Sequence, residues 1–305
     1  MNNGLIDFRE VQMKKIVVIL IIIFCFSNIA NAAIGTSVKY NWGNVAYGGG
    51  GFVGSVIAHP LEKDLLYIRT DIGGAYRWDN VNNRWISISD SFAPALSNFY
   101  GVDGICVDPS DADTVYIAAG KYSYNTCDLL KSTDRGNTFT RTNMDAALVN
   151  AGFSSSLFDG NGNLRGVGER IAVDPNSSNV IYIGTRRGGL WRSRDGAKTF
   201  EQVVADGIVT GDETQQPRTI VFDKSSSTVD GLTKIIYVGV TGNGIFKSSD
   251  GGMSFTKMEG TPVIPKRMEV SKSGKLYVAS TEGLFRHNGI EWTEISPEAG
   301  TKING

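Results

Sequence analysis

Histidine and cysteine are nearly missing from this chain, and their scarcity narrows its chemistry. Among 305 residues there are two histidines and three cysteines, with no Cys/His cluster at metal-ligand spacing. A zinc site, which draws three or four ligands mainly from these residue types, is excluded on that ground. No cofactor is expected. A charge excess is missing too: 30 Lys and Arg stand against 31 Asp and Glu, so there is no electrostatic footprint for nucleic acid or for an anionic membrane surface. Proline is scarce at 8 residues and glycine plentiful at 37, with 41% hydrophobic residues; that composition belongs to an ordinary globular protein able to bury a core.

Long apolar runs are confined to Ile16–Phe26, preceded by Lys14 and Lys15 and followed by Ala30-Asn31-Ala32. Basic residues, a short apolar stretch and a small-x-small site read as an export signal spanning 1–32, with its start at Met13 and the mature chain beginning near Ala33. The run is too short to span a bilayer comfortably, so the protein is expected to be secreted, extracellular or periplasmic, and not membrane-bound. Removal of the signal takes Cys25 and leaves Cys106 and Cys127. Both fall in one repeat on strands that are not neighbours, a geometry that disfavours a bridge although the compartment permits one.

What the chain does have is a repeat. An apolar strand ends in a turn, as in Ile105-Cys106-Val107-Asp108-Pro109; a second strand carries a fixed tyrosine at Tyr67, Tyr116, Tyr182, Tyr237 and Tyr277; a third is led by glycine; a polar turn then delivers Trp85, Phe139, Phe200, Phe255 or Trp292. That is four strands, five times. The strands alternate and helical periodicity is absent, so the reading is all-β. A radial array of four-stranded blades, a β-propeller, suits this repeat better than a sandwich. Before the last strand, three repeats carry Ser-x-Asp-x-Gly-like boxes at Asp134, Asp195 and Asp250. These Asp-boxes are turn-formers: the carboxylate can accept backbone amides and glycine supplies a positive φ. Ala197 stands where the second box should have glycine.

Strand order places the Asp-boxes on one face and every long insertion (Ser89 to Asp103, Asn143 to Arg170, Val204 to Arg218) on the other. Variable loops on a rigid frame are where sites are built. Aligning the tyrosines puts Asp71 opposite Arg186 and Thr241, in a second-to-third-strand turn on the long-loop face. By itself a lone Asp in a Gly-rich turn reads either as a turn-former or as a site carboxylate. Aromatic faces that can stack on sugars, with polar groups to orient them, occur near the same face: Tyr47, Phe52, Tyr100 and Tyr122, with Asp103, Asn163 and Arg165 as polar candidates. His59 reads as a turn residue, and Glu169 as a structural partner of Arg170.

Several segments resemble, in order, glycoside hydrolase family seventy-four, the xyloglucan-hydrolysing enzymes: Tyr40-Asn41-Trp42-Gly43-Asn44-Val45, Gly48-Gly49-Gly50-Gly51-Phe52-Val53, Arg69-Thr70-Asp71-Ile72-Gly73-Gly74-Ala75-Tyr76-Arg77-Trp78, Tyr100-Gly101-Val102-Asp103 and Gly168-Glu169-Arg170. The resemblance implies an N-terminal propeller over 33–305, five blades of a seven-bladed ring, with a second propeller absent. It also implies inverting hydrolysis of xyloglucan, Asp71 as general base, and a general acid contributed by the missing propeller, so that this chain by itself is inactive. Trp42-Gly43-Asn44-Val45 reads as an orphan last strand. A non-catalytic Asp-box module binding carbohydrate or protein is the alternative. A sialidase is disfavoured, since its Arg-Ile-Pro motif is missing.

Overall fold

The computed structural model describes residues 46–153, 157–208 and 210–296. The expected signal and the Tyr40–Val45 segment lie outside the described residues. The alternating segments form five four-stranded antiparallel sheets, each built from strands consecutive in sequence. Blade 1 is β1 (Val53–Ala58), β2 (Leu66–Thr70), β3 (Ala75–Asp79) and β4 (Arg84–Ser87); blade 2 is β5 (Val102–Asp108), β6 (Asp111–Ala119), β7 (Asp128–Ser132) and β8 (Thr140–Arg141). Blade 3 follows with β9 (Ile171–Asp174), β10 (Ser177–Gly184), β11 (Leu190–Ser193) and β12 (Glu201–Val203). In blade 4, β13 (Pro217–Phe222) is separated by a small hairpin, β14 (Thr228–Val229) and β15 (Leu232–Thr233), from β16 (Ile236–Val240), β17 (Gly244–Ser248) and β18 (Thr256–Lys257). Blade 5 is β19 (Pro265–Val270), β20 (Leu276–Ser280), β21 (Leu284–His287) and β22 (Trp292–Glu294). The sheets are arranged as a β-propeller. The first strand of every blade lines a central channel of roughly 600 Å³, through Ile57, Cys106, Val173, Val221 and Met268.

Apolar cores lie between successive blades: Tyr67 with Ile105 and Ile117, Tyr116 with Ile181 and Trp191, Tyr182 with Ile220 and Phe246, Tyr237 with Met268 and Val278. Each such side chain contributes on the order of 1.5–3 kcal/mol when fully buried, so contacts between sheets hold the ring together. Cys106 and Cys127 are buried and unbridged, and burial pushes both thiols up to about 12. Neither is a nucleophile at neutral pH.

The Asp-boxes are closed turns. Asp134 accepts the Thr138 amide at 2.9 Å and the Thr138 hydroxyl at 2.7 Å, while Ser132 Oγ accepts the Gly136 amide at 2.8 Å. Asp195 with Thr199 and Ser193, and Asp250 with Ser254 and Ser248, repeat the pattern. The Thr138 side chain, and then its amide, pull Asp134 down to about 2. Each box also clasps the preceding blade. Arg77 donates to Arg135 O at 2.6 Å, Lys131 to Gly196 O at 3.1 Å and Arg192 to Gly252 O at 2.8 Å. Two of these cations, Lys131 and Arg192, lie over the repeat tyrosines of their own blades, Tyr116 at 5.5 Å and Tyr182 at 5.6 Å. The fixed tyrosine therefore marks a blade-to-blade joint.

The expected β-propeller is borne out, and two short helices accompany its strands. A 3-10 helix spans Pro94–Tyr100 and a short α-helix, α1, spans Met144–Asn150, both in the long insertions. In α1 only Met144 and Leu148 are buried, one turn apart, against Trp191 and Ile181. Its first amide, Met144 N, is capped from outside by Asp128 Oδ1 at 2.9 Å, so a seven-residue stretch becomes helical by docking rather than by its own propensity. Among the described residues no helix is long and apolar enough to cross a membrane.

The joint makes a prediction. At Gly252, φ is +83°, and a Cβ would lie 1.8 Å from Tyr182 Oη. Gly252→Ala should lower stability by about 2–4 kcal/mol, adding left-handed strain to overpacking. Urea unfolding monitored by tryptophan fluorescence reads this, and a loss below ~1 kcal/mol would show that the joint yields.

Candidate functional site

Asp71 occupies the tip of the turn between β2 and β3. Thr70 closes that turn, its hydroxyl donating to Gly74 O at 2.8 Å and accepting the Gly73 amide at 2.9 Å. Thr185 closes the β10–β11 turn in the same way, donating to Gly189 O at 2.9 Å, so Asp71 and Arg186 are equivalent tips. The Asp71 amide donates to Phe52 O at 3.1 Å, and the Phe52 amide returns a bond to Asp71 Oδ1 at 2.7 Å. This approach requires glycine on both sides. A Cβ on Gly73 would lie 2.0 Å from Gly50 O, and one on Gly51 would lie 2.5 Å from Asp71 Oδ1.

The carboxylate is 6% exposed, with Arg165 Nε 3.4 Å from Oδ2. The Arg165 guanidinium also lies 5.6 Å from the ring centre of Phe52, which is an exposed apolar residue. Tyr47 donates to Gly51 O at 2.7 Å and packs edge-on against Tyr76. Tyr100 backs the turn, its carbonyl accepting the Gly74 amide and its hydroxyl donating to Phe92 O at 3.1 Å. Tyr47, Phe52, Tyr100 and Arg165 thus gather around Asp71. Tyr122 belongs to a neighbouring cluster, stacked on the exposed Tyr124 at 5.4 Å and receiving a bond from Asn161 at 3.4 Å. Asn163 is exposed on the same crossover as Arg165.

Asp103 is placed differently from the expectation that it lines the substrate face. It is fully buried, 2.8 Å from Arg218 and 3.1 Å from Arg170, and accepts the Asp159 amide at 2.9 Å. With both oxygens engaged and no accessible surface, its part is structural. Glu169 corrects a second expectation, since its partner is not Arg170. Arg69 Nε reaches both of its oxygens at 3.0 Å, Arg267 reaches Oε1 at 2.8 Å, and the Ile105 amide donates to Oε2 at 2.7 Å. Burial pushes both carboxyls up, but the arginines outweigh it: Arg170 and Arg218 hold Asp103, and Arg69 and Arg267 hold Glu169, below the usual carboxylate range.

This network was missed in the sequence, yet it leaves a trace there: an arginine recurs at the start of the first strand in three blades, as Arg170, Arg218 and Arg267. It fixes the site because its arginines grip the crossover beside Asp71. Arg69 donates to Arg165 O at 3.0 Å and Val167 O at 3.3 Å, and Arg218 to Leu164 O at 2.6 Å. A carboxylate held by a backbone amide thus faces the long loops, flanked by an exposed aromatic ring, and ring faces of this kind stack on sugars. Among the described residues no cluster of three His, Cys, Asp or Glu side chains is arranged to hold a metal ion.

No protein-family model matches the chain. Individual proteins do. The xyloglucanase Xgh74A of Acetivibrio thermocellus is 38% identical over 297 residues, covering 86% of this chain and 34% of the relative. This chain is a relative of the GH74 xyloglucanases. The crystal structure of the Niastella koreensis GH74 enzyme superposes with a TM-score of 0.72 at 37% identity, over 86% of this chain and 39% of that one. The Xanthomonas campestris GH74 xyloglucanase gives 0.72 at 34% identity, covering 85% and 40% of the two chains. This xyloglucanase relative therefore spans about a third of the length of the curated proteins it matches.

The carboxyl shifts set a pH response. A carboxyl held low in the folded state stabilises fully above its unfolded value, about 4, and that contribution is lost as pH falls through the folded value. The urea midpoint should therefore drop between pH 6 and pH 3. Glu169→Gln should lower it at pH 6, on the order of 3–5 kcal/mol for a broken buried pair, and flatten the drop; an unchanged slope would remove Glu169 from the account.

Proposed function

We propose that this chain is the N-terminal part of a secreted glycoside hydrolase that cleaves the β-1,4-glucan backbone of xyloglucan with inversion, and that Asp71 is its general base. The relationship to xyloglucanases supports the substrate class. The observation that carries the residue assignment is the held Asp71 carboxylate, with Oδ1 oriented by the Phe52 amide and Oδ2 turned toward Arg165 and the long-loop face.

In an inverting reaction one carboxylate takes a proton from water as that water attacks the anomeric carbon. A carboxylic acid about 6.5–9.5 Å away protonates the departing oxygen. Asp71 fits the first role, because a backbone amide fixes its rotamer. The second role falls to a partner propeller outside this chain, and two further blades complete the ring to seven. The chain by itself then holds one half of the cleft and does not turn over. Phe52, Tyr47, Tyr100 and Tyr122 supply the sugar-facing surface, with Asn163 and Arg165 as polar contacts and the leader at 1–32 directing export.

Reducing-sugar release from xyloglucan by residues 33–305 should be undetectable, and should appear when that segment replaces the matching third of the Acetivibrio thermocellus xyloglucanase. In that chimera Asp71→Asn should reduce kcat by about 10²–10⁴-fold, the range of a general base, with KM nearly unchanged. Turnover by the short chain would mean that it holds its own acid; full activity of Asp71→Asn would remove Asp71 from the chemistry. An inactive chimera that still retains xyloglucan would favour a non-catalytic binding module.

A further inference from the structure

Three segments meet at Asp71: its own turn, the one carrying Phe52 and the crossover carrying Arg165. A side chain from blade 5 ties the last two together. Arg267, on β19, donates through one terminal nitrogen to Gly168 O at 2.8 Å and Glu169 Oε1 at 2.8 Å, and through the other to Gly54 O. Gly54 lies just past Phe52, whose amide orients Asp71 Oδ1, and Gly168 lies just past Arg165, whose guanidinium faces Oδ2.

Both segments need such a hold. Strands β1 and β2 pair Val53 with Thr70 and Ser55 with Arg69, which leaves Gly54 as an extra, unpaired residue, a β-bulge. A bulge bends its strand and re-aims the residues beside it, so whatever fixes Gly54 also fixes where the Phe52 amide points. Its carbonyl goes to Arg267. Bulge and crossover also touch directly, since a Cβ on Gly54 would lie 2.3 Å from Arg69 Nη1 and 3.0 Å from Arg165 O. Blade 5 holds the crossover a second time through its backbone, Lys266 O accepting the Gly168 amide at 3.1 Å. A guanidinium suits this span because its donors are fixed in a plane. An ammonium in its place keeps the charge opposite Glu169 but lacks the rigid fork.

We infer that Arg267 is a positioning residue for Asp71. By bridging the Gly54 bulge to the crossover, it sets the amide on one carboxylate oxygen relative to the guanidinium on the other, and it acts through Phe52 and Arg165 rather than by touching the carboxylate. This rests on reading Asp71 as the reacting carboxylate. Blade 5 then contributes to the site through geometry alone.

The amide proton of Phe52 reports the bond to Asp71 Oδ1 in the whole chain, without turnover. In two-dimensional proton–nitrogen NMR its resonance should move upfield in Asp71→Ala, which marks loss of that bond, and in the same direction in Arg267→Met and Arg267→Lys. Arg267→Lys keeps the ion pair with Glu169, so its urea midpoint should stay above that of Arg267→Met while the Phe52 amide still moves. In the chimera with the Acetivibrio thermocellus xyloglucanase, both variants should lower kcat about tenfold or more with KM nearly unchanged, as expected of a misplaced reacting group. If Arg267→Met does not fold, Arg267→Lys carries the test alone. A Phe52 amide and a kcat that stay at their wild-type values in Arg267→Lys overturn the inference, reducing Arg267 to a buried charge that stabilises the ring. A displaced amide together with a fully active Asp71→Asn chimera would support the hold on Asp71 and overturn its part in the chemistry, which separates the two readings.

Discussion

Four arginines and two carboxylates converge where the five blades meet: Arg69 from blade 1, Asp103 from blade 2, Glu169 and Arg170 leading into blade 3, Arg218 from blade 4 and Arg267 from blade 5. Desolvating so many charges costs several kcal/mol per ion unless each is paired and hydrogen-bonded. Such a cluster tolerates few arrangements. It therefore specifies how the first strands approach one another, a task that the interchangeable apolar contacts between blades leave open.

The cluster carries more cations than carboxylates, and backbone carbonyls make up the difference. Those carbonyls come largely from one segment: Leu164, Arg165, Val167 and Gly168 accept from Arg218, Arg69, Arg69 and Arg267. Drawing these carbonyls inward turns the Arg165 side chain toward Asp71. Fold and site are thus coupled through one crossover. Arg69 does both jobs, since it is two residues from Asp71 on the strand that presents it and also holds the segment that faces it.

The repeat, the blade count, the two faces and the placement of Asp71 were legible in the sequence because each depends on local rules. Tyr67 through Tyr277 recur at one strand position, and the boxes at Asp134, Asp195 and Asp250 carry their own turn chemistry. What escaped depends on contacts between blades. Asp103 looked like a polar loop residue, and nothing adjacent in sequence announces the buried arginines that enclose it. Glu169 looked like a partner for its neighbour Arg170, yet the two go to different partners, Glu169 to Arg69 and Arg267 and Arg170 to Asp103. Helix α1 escaped because its two buried residues are too few to register as a period.

Division of labour between the faces follows from the same contacts. On the Asp-box face the polar atoms are spent twice, once closing the turn and once clasping the preceding blade, as at Gly196 and Gly252. A substitution there disturbs a joint. On the opposite face Thr70 and Thr185 close their turns from within the strand ends, leaving the tip residue out of the closure. Tips consequently differ from blade to blade: Asp71, Gly120, Arg186, Thr241 and Thr281 occupy equivalent positions. A frame that fixes the backbone while freeing one side chain per blade lets chemistry change without disturbing the ring. That is why the face carrying the Asp-box turns holds the structure, and the face carrying unlike tips holds the Asp71 carboxylate.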